Sequence, residues 1–174
     1  MTPIFLYDQR RVHIYCFRLY ETKYKPAHGG RVGITLNTQW YEPLDASNAS
    51  HVAQSEKYQQ FQLGAWTGPL FNGDYPKVFR EAISNRSREQ GYEESRLPEL
   101  SPEEKQALKG SIDFLGLNLY TAYLVEPKTF DVSVVSVESD LGGRQVQDQT
   151  WFKGGSSWLA VMPQVDHYLL GAIH

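Results

Sequence analysis

Between Asp8 and Lys25 the apolar positions Val12, Tyr15, Leu19 and Tyr20 recur at steps of three and four residues, the period of a helix. Pro26 and the pair Gly29-Gly30 predict its end. The pattern then changes to alternation: Val32, Ile34 and Leu36 against Gly33, Thr35 and Asn37, which predicts a buried strand over Arg31 to Asn37. Asp45 to Ser50 is small and polar and predicts a loop, and His51 to Leu63 returns to the helical period. Gly64 to Gly73 breaks the pattern, and Asp74-Tyr75-Pro76 reads as the start of a helix whose apolar face is Val78, Phe79, Ala82 and Ile83. Asn85 to Leu97 is charged and irregular. Ser101-Pro102-Glu103-Glu104 is a capping box with proline at the first helical position, and the helix it opens is expected to reach Lys109. Phe114 to Tyr120 predicts a second buried strand; a long segment to about Ser157 follows with weak strand signals, and Val165 to Ile173 has helical spacing. Loops that long inside a compact domain usually carry function. The order helix, strand, helices, strand, long loop, helix is that of half a parallel α/β barrel.

Composition narrows the function classes. The 174 residues carry 17 Lys and Arg against 20 Asp and Glu, a net charge of −3, and 41% are hydrophobic. Such a chain folds, and it lacks the basic field that binds phosphate backbones, so nucleic acid is not an expected partner. No apolar run approaches the roughly 18 residues of a membrane span, and Met1 to Gln9 does not have the cationic-then-apolar form of a signal peptide. The single cysteine, Cys16, excludes an internal disulfide and a cysteine-based zinc cage. The histidines His13, His28, His51, His167 and His174 are scattered without metal-ligand spacing and read as surface or helix residues. No metal and no cofactor is expected. Aromatic residues, at 13%, exceed what a small core needs; a ring face stacks well on the C–H face of a sugar.

Five stretches, in order, are similar to one family. They are Gly33-Ile34-Thr35-Leu36-Asn37 with Trp40 and Glu42-Pro43; Phe61-Gln62-Leu63-Gly64 leading to Gly73-Asp74-Tyr75-Pro76; Ser95-Arg96-Leu97-Pro98; Asp113-Phe114-Leu115-Gly116-Leu117-Asn118-Leu119-Tyr120; and Gly155-Ser156-Ser157-Trp158-Leu159. Together they resemble glycoside hydrolase family 1, the β-glucosidase, lactase-phlorizin hydrolase and klotho group, and especially its animal members. The resemblance covers about Tyr15 to Leu170. It implies a (β/α)8 barrel hydrolysing β-glycosidic bonds with retention, through two carboxylic acids about 5–5.5 Å apart. The family's acid/base glutamate lies in Asn-Glu-Pro after the fourth strand and its nucleophile in Thr-Glu-Asn-Gly after the seventh; neither motif occurs in this sequence. The resemblance places the chain between them, from the fourth helix of the barrel to the sixth, incomplete at both ends.

Glu42-Pro43 is not the acid/base motif, because Tyr41 stands where that motif has asparagine; Glu42 reads as a surface or loop-anchoring carboxylate. The resemblance assigns Asn118 to the glycone site and gives Tyr120 a hydrogen bond to the nucleophile carboxylate. Both fall at the predicted C-terminal end of a barrel strand, where such barrels do their chemistry, and two-residue spacing lets both face one side. Gln39 and Trp40, in the loop after the preceding strand, are expected on the aglycone side. Asn48-Ala49-Ser50 and Asn85-Arg86-Ser87 fit the glycosylation sequon in predicted loops, a hint of a secreted parent.

Two departures from the family pattern, Pro163-Gln164-Val165 for Pro-Trp-Gly and Leu119 between the two site residues, allow for a diverged copy. The enzymatic reading therefore stands beside a rival, a non-catalytic klotho-like module that binds a glycan or a protein partner. Either way the isolated chain, lacking both glutamates, is expected to be inactive. With the apolar faces of both strands expected to meet barrel strands that the sequence does not contain, it is also expected to aggregate and bind a hydrophobic dye.

Overall fold

The computed structural model describes residues 3–162, so the helix expected over Val165 to Ile173, the histidines His167 and His174 and the departure at Pro163-Gln164-Val165 lie outside the described residues. In chain order the helices are α1 (Pro3–Leu19), α2 (Lys25–His28), α3 (Ala49–Gln59), α4 (Ala65–Thr67), α5 (Lys77–Glu89), α6 (Pro102–Leu108) and α7 (Val137–Leu141), and the strands are β1 (Gly33–Pro43), β2 (Phe114–Pro127) and β3 (Gly143–Val146). The three strands form one sheet in the order β1-β2-β3. β1 and β2 are parallel, joined by a crossover through α3 to α6, while β3 returns antiparallel on the end of β2. This is a partial α/β unit, in keeping with part of a barrel.

One carboxylate sets where the parallel pair begins. Val32 N–H donates to Asp113 Oδ2 at 2.8 Å, Lys25 Nζ donates to its Oδ1 at 2.8 Å, and Asp113 N–H donates to Val32 C=O at 2.7 Å. The hydrogen bond from Lys25, then that from Val32, holds the Asp113 carboxyl below the ordinary carboxylate range. From there the register runs Gly33↔Phe114, Thr35↔Gly116 and Asn37↔Asn118.

Alternation divides this pair into two faces. Leu36 is buried and Ile34 packs against the main core, whereas Thr35, Asn37, Phe114, Asn118 and Tyr120 are exposed. The core lies between the sheet and the helices, where Tyr41, Tyr58, Phe61, Leu70, Phe79, Ile83, Leu108 and Val125 are each less than a tenth exposed. The strand residues that reach this core, Ile34, Tyr41, Tyr123 and Val125, thus face this chain's own helices. That narrows the expectation that the strands look toward neighbours the sequence lacks: Leu115, Leu117 and Leu119 are only half-buried, and the other face is mostly small and polar, with Phe114 and Tyr120 as its large side chains.

Several boundaries differ from those expected. Pro26 does not stop the first helix: a π turn over Tyr20–Tyr24 carries α1 into α2, where Pro26 sits in the first turn and needs no partner for its missing N–H. Gly29, at φ 62°, ends it. Gly64 to Gly73 is likewise not a break but a continuation through π turns at Gln60–Gly64 and Gly68–Asn72, closed by Gly73. Gly68 is there for close approach, since a Cβ would lie 2.9 Å from both the Asp74 carbonyl and the Pro76 ring. The first residues of the stretch expected to be irregular, through Glu89, belong to α5, whose buried positions Phe79, Ile83 and Ser87 are spaced by four. The capping box at Ser101 forms as expected, with both reciprocal hydrogen bonds to Glu104. Both strands outrun their expected ends, because the ladder resumes past an irregularity between Thr38 and Trp40 and pairs Trp40↔Ala122 through Pro43↔Val125.

Candidate active-site face

The open face of the parallel pair places four of its side chains close together. Asn118 and Asn37 are register partners, and the Asn118 Nδ2 donates to Asn37 Oδ1 at 2.8 Å. One step below them, Gly116 opposes Thr35; a Cβ on residue 116 would lie 2.7 Å from the Thr35 Oγ1, so glycine keeps this floor flat. One step above, Tyr120 is 51% exposed on the same side as Asn118. The pair of site residues expected to share a side does so. They stand midway along β2 rather than at its end, because the strand runs on to Pro127.

Trp158 covers this end of the face. Its ring lies edge-on to Tyr120 with centroids 6.2 Å apart and planes at 74°. The loop that brings it back is held from beneath: Gln147 Nε2 donates to Trp158 C=O at 2.7 Å and to Thr121 Oγ1 at 3.2 Å, and Thr121 Oγ1 donates to Ala160 C=O at 3.0 Å. Thr121 is buried, so its bond to Ala160 is shielded from water. The face therefore offers amide donors and acceptors, a phenol hydroxyl and two partly exposed rings, which together suit a polyhydroxylated ligand with an apolar C–H face.

Gln39 and Trp40 lie within β1, which corrects the expectation of a loop, and the structure does not bring Gln39 to the amide pair. Its Oε1 accepts from Tyr41 Oη at 3.0 Å, and Tyr41 Oη in turn accepts from Gln62 Nε2 at 3.0 Å. These residues, with Tyr58, Phe61 and Arg144, line a separate cleft of about 420 Å³. Burial raises the phenol of Tyr41 well above its ordinary value and pushes that of Tyr58 up to about 12. Trp40 donates its indole N–H to Glu42 Oε1; Glu42 is half-buried within β1, so it anchors a neighbouring strand side chain rather than a loop.

Of the two sequons, Asn48 is exposed in the turn before α3, as expected. Asn85 is not in a loop: it lies in α5, because the buried series Phe79, Ile83, Ser87 continues the helix past it. His13 and His28 are in helices, His13 half-buried with Nε2 2.8 Å from Ser111 C=O. Among the described residues no group of His, Cys, Asp or Glu is arranged to hold a metal ion, and no helix is long and apolar enough to cross a membrane. Two members of the face, Asn37 and Trp158, stand in the quoted motifs without a role read from the sequence. The alternation Thr35, Asn37 is a signal for the first; nothing local foretells that Trp158 returns to Tyr120.

Comparison with known proteins agrees with this geometry. Residues 9–174 match the family model for glycosyl hydrolase family 1. The chain is 37% identical over 154 residues to lactase/phlorizin hydrolase of Rattus norvegicus, covering 88% of this chain and 8% of that protein. It is 38% identical to the lactase-like protein of Mus musculus, again over 88% of this chain and 27% of the relative. Aphid myrosinase superposes with a TM-score of 0.85 at 27% identity, covering 95% of this chain and 36% of that structure. The chain thus spans little more than a third of the structural relative and less of the other two. Sequence motifs, strand arrangement and matches that run over nearly its whole length converge: the chain belongs to glycosyl hydrolase family 1.

Proposed function

We propose that this chain is the segment of a retaining β-glycosidase that runs from the fourth to the sixth helix of the (β/α)8 barrel. In that reading its open sheet face is a wall of the sugar site, and β-glycosides are the substrates of the intact parent. The observation that carries the reading is the amide pair Asn37–Asn118 directly below the half-exposed Tyr120, on the side of the parallel sheet that no helix among the described residues covers. The printed names of the relatives, a lactase/phlorizin hydrolase and a myrosinase among them, support a glycoside as substrate.

Each residue then has a physical task. Asn118, oriented by its bond to Asn37, presents hydrogen-bonding groups to a glycone hydroxyl. Tyr120 donates its phenol proton in a hydrogen bond to the nucleophile carboxylate, keeping it ionised and aimed at the anomeric carbon. Trp158 braces the Tyr120 ring, and Gln39 and Trp40 shape the aglycone side. The two carboxylic acids come from the Asn-Glu-Pro and Thr-Glu-Asn-Gly motifs, which lie outside these 174 residues, so the chain by itself does not turn over substrate.

Two measurements test this. The purified chain should hydrolyse a chromogenic aryl β-glucoside no faster than buffer does; turnover abolished by Glu42→Gln would overturn the assignment. The second grafts Gly33 to Pro127 into the barrel of a characterised family member and compares the graft with its Tyr120→Phe variant. Losing one preorganised donor should lower kcat by roughly 10²–10³ with KM nearly unchanged. It should also move the acid limb of the pH profile upward, because the nucleophile loses a bond that favours its charged form. A graft indifferent to this substitution refutes the role of Tyr120.

A further inference from the structure

The two sequons of this chain are chemically alike and structurally opposite. Asn48 stands in the turn between β1 and α3, where Leu44 to Ser50 is exposed throughout. Its Oδ1 accepts from the Ser50 backbone N–H at 3.0 Å and from the Ser50 hydroxyl at 2.9 Å. The amide and the hydroxyl that define the sequon therefore already stand together on the surface, and the Asn48 Nδ2 has no hydrogen-bond partner among the described residues. Asn85 is exposed as well, but there the amide and the hydroxyl of the sequon do not stand together. The residue is inside α5, and its Oδ1 accepts from Arg88. The hydroxyl of Ser87 is fully buried, donating to Ile83 C=O at 2.7 Å and accepting from the Arg96 N–H at 3.0 Å. Bringing Asn85 and Ser87 together for modification would unwind the middle of the helix that carries Phe79 and Ile83 into the core.

We propose that Asn48 is an N-glycosylation site of this protein and that Asn85 is not. The donor is a lipid-diphosphate-linked oligosaccharide. Asn48 Nδ2 forms a bond to the anomeric carbon of its first sugar and gives up one proton. The bond from that carbon to the diphosphate oxygen breaks, and the lipid diphosphate leaves with the electron pair. The surrounding turn accommodates the product without repacking, since no side chain from Leu44 to Ser50 is buried.

The test expresses the full 174-residue chain behind a cleavable secretion signal in animal cells and treats it with peptide N-glycosidase. One mobility step should collapse on digestion, and mass spectrometry should find the deamidated site at position 48 alone. Asn48→Gln and Ser50→Ala should each abolish the step, Ser50→Thr should keep it, and Asn85→Gln and Ser87→Ala should leave it unchanged. Because Ser50→Ala keeps Asn48 itself, a loss common to both variants reports the sequon rather than a failure to fold. A chain that carries no glycan, two glycans, or one that follows Asn85 overturns the proposal.

Discussion

The two faces of the β1–β2 pair are built from alternate residues of the same two strands, yet they obey different rules. On the covered face Leu36 is 7% exposed, and Ile34 packs against the aromatic and aliphatic core of α3, α5 and α6. Removing such side chains from water is what stabilises this part of the chain, at roughly 1.5–3 kcal/mol for each large one. On the open face Asn37 and Asn118 spend their hydrogen bond on each other, and Gly116 contributes no side chain. Little apolar surface is buried there, so residue choice on that face is free to answer to the sugar ligand proposed above. A site of this kind gains precision by standing on strands whose other side is locked by packing.

That contrast can be broken by experiment. The largest effect should come from Phe79→Ala, which empties a position 2% exposed between Phe61 and Tyr75. A loss of about 3–5 kcal/mol is expected, read as faster amide hydrogen exchange through α3 and α5. Unchanged protection there would mean that the helical layer is not the stabilising one.

Neighbouring residues on β1 give a sharper comparison. Leu36→Ala should cost about 2–5 kcal/mol and Asn37→Ala should stay within about 0.5 kcal/mol, although they are adjacent and chemically unremarkable in the sequence. Chemical denaturation of both variants checks this, and equal losses would erase the distinction between the faces.

The smallest effect is a matter of pH. The chain has 11 tyrosines, and exposed ones ionise near pH 10. Burial pushes the Tyr58 phenol up to about 12 and Tyr41 higher still. For a raised pKa the folded state favours the neutral phenol. Its stabilising contribution is whole below the unfolded value of about 10 and is lost as pH rises toward about 12. Tyrosinate absorbance should therefore rise in two waves, the later one coinciding with unfolding; a single wave near pH 10 would place both rings in water.

Much of this was legible along the chain. The covered face announces itself in the alternation of Val32, Ile34 and Leu36, the helix α6 in its capping box, and α5 in apolar residues four apart, because each is a local relation between neighbours in sequence. The assignment of Asn118 and Tyr120 to one side needed no more than the two-residue period. What misled was glycine and proline. Gly64, Gly68 and Pro26 carry the same local signature whether they end a helix or let it pass close to another segment through a π turn, and only the position of Asp74 and Pro76 against Gly68 decides between these.

The tertiary structure alone determined the rest, for one physical reason: the contacts join residues far apart in the chain. Strand pairing between positions about eighty residues apart extended β1 through Gln39 and Trp40 and turned Gln39 to Tyr41 rather than to Asn118. The partner of Asn118 is Asn37, and the ring beside Tyr120 is Trp158, supported by Gln147 and Thr121. Period and capping are written between near neighbours, so the sequence by itself determined the alternation of the first strand, the apolar face of α5 and the start of α6. Which side chains meet across the open face depends on register and loop return, and those exist only once the chain has folded.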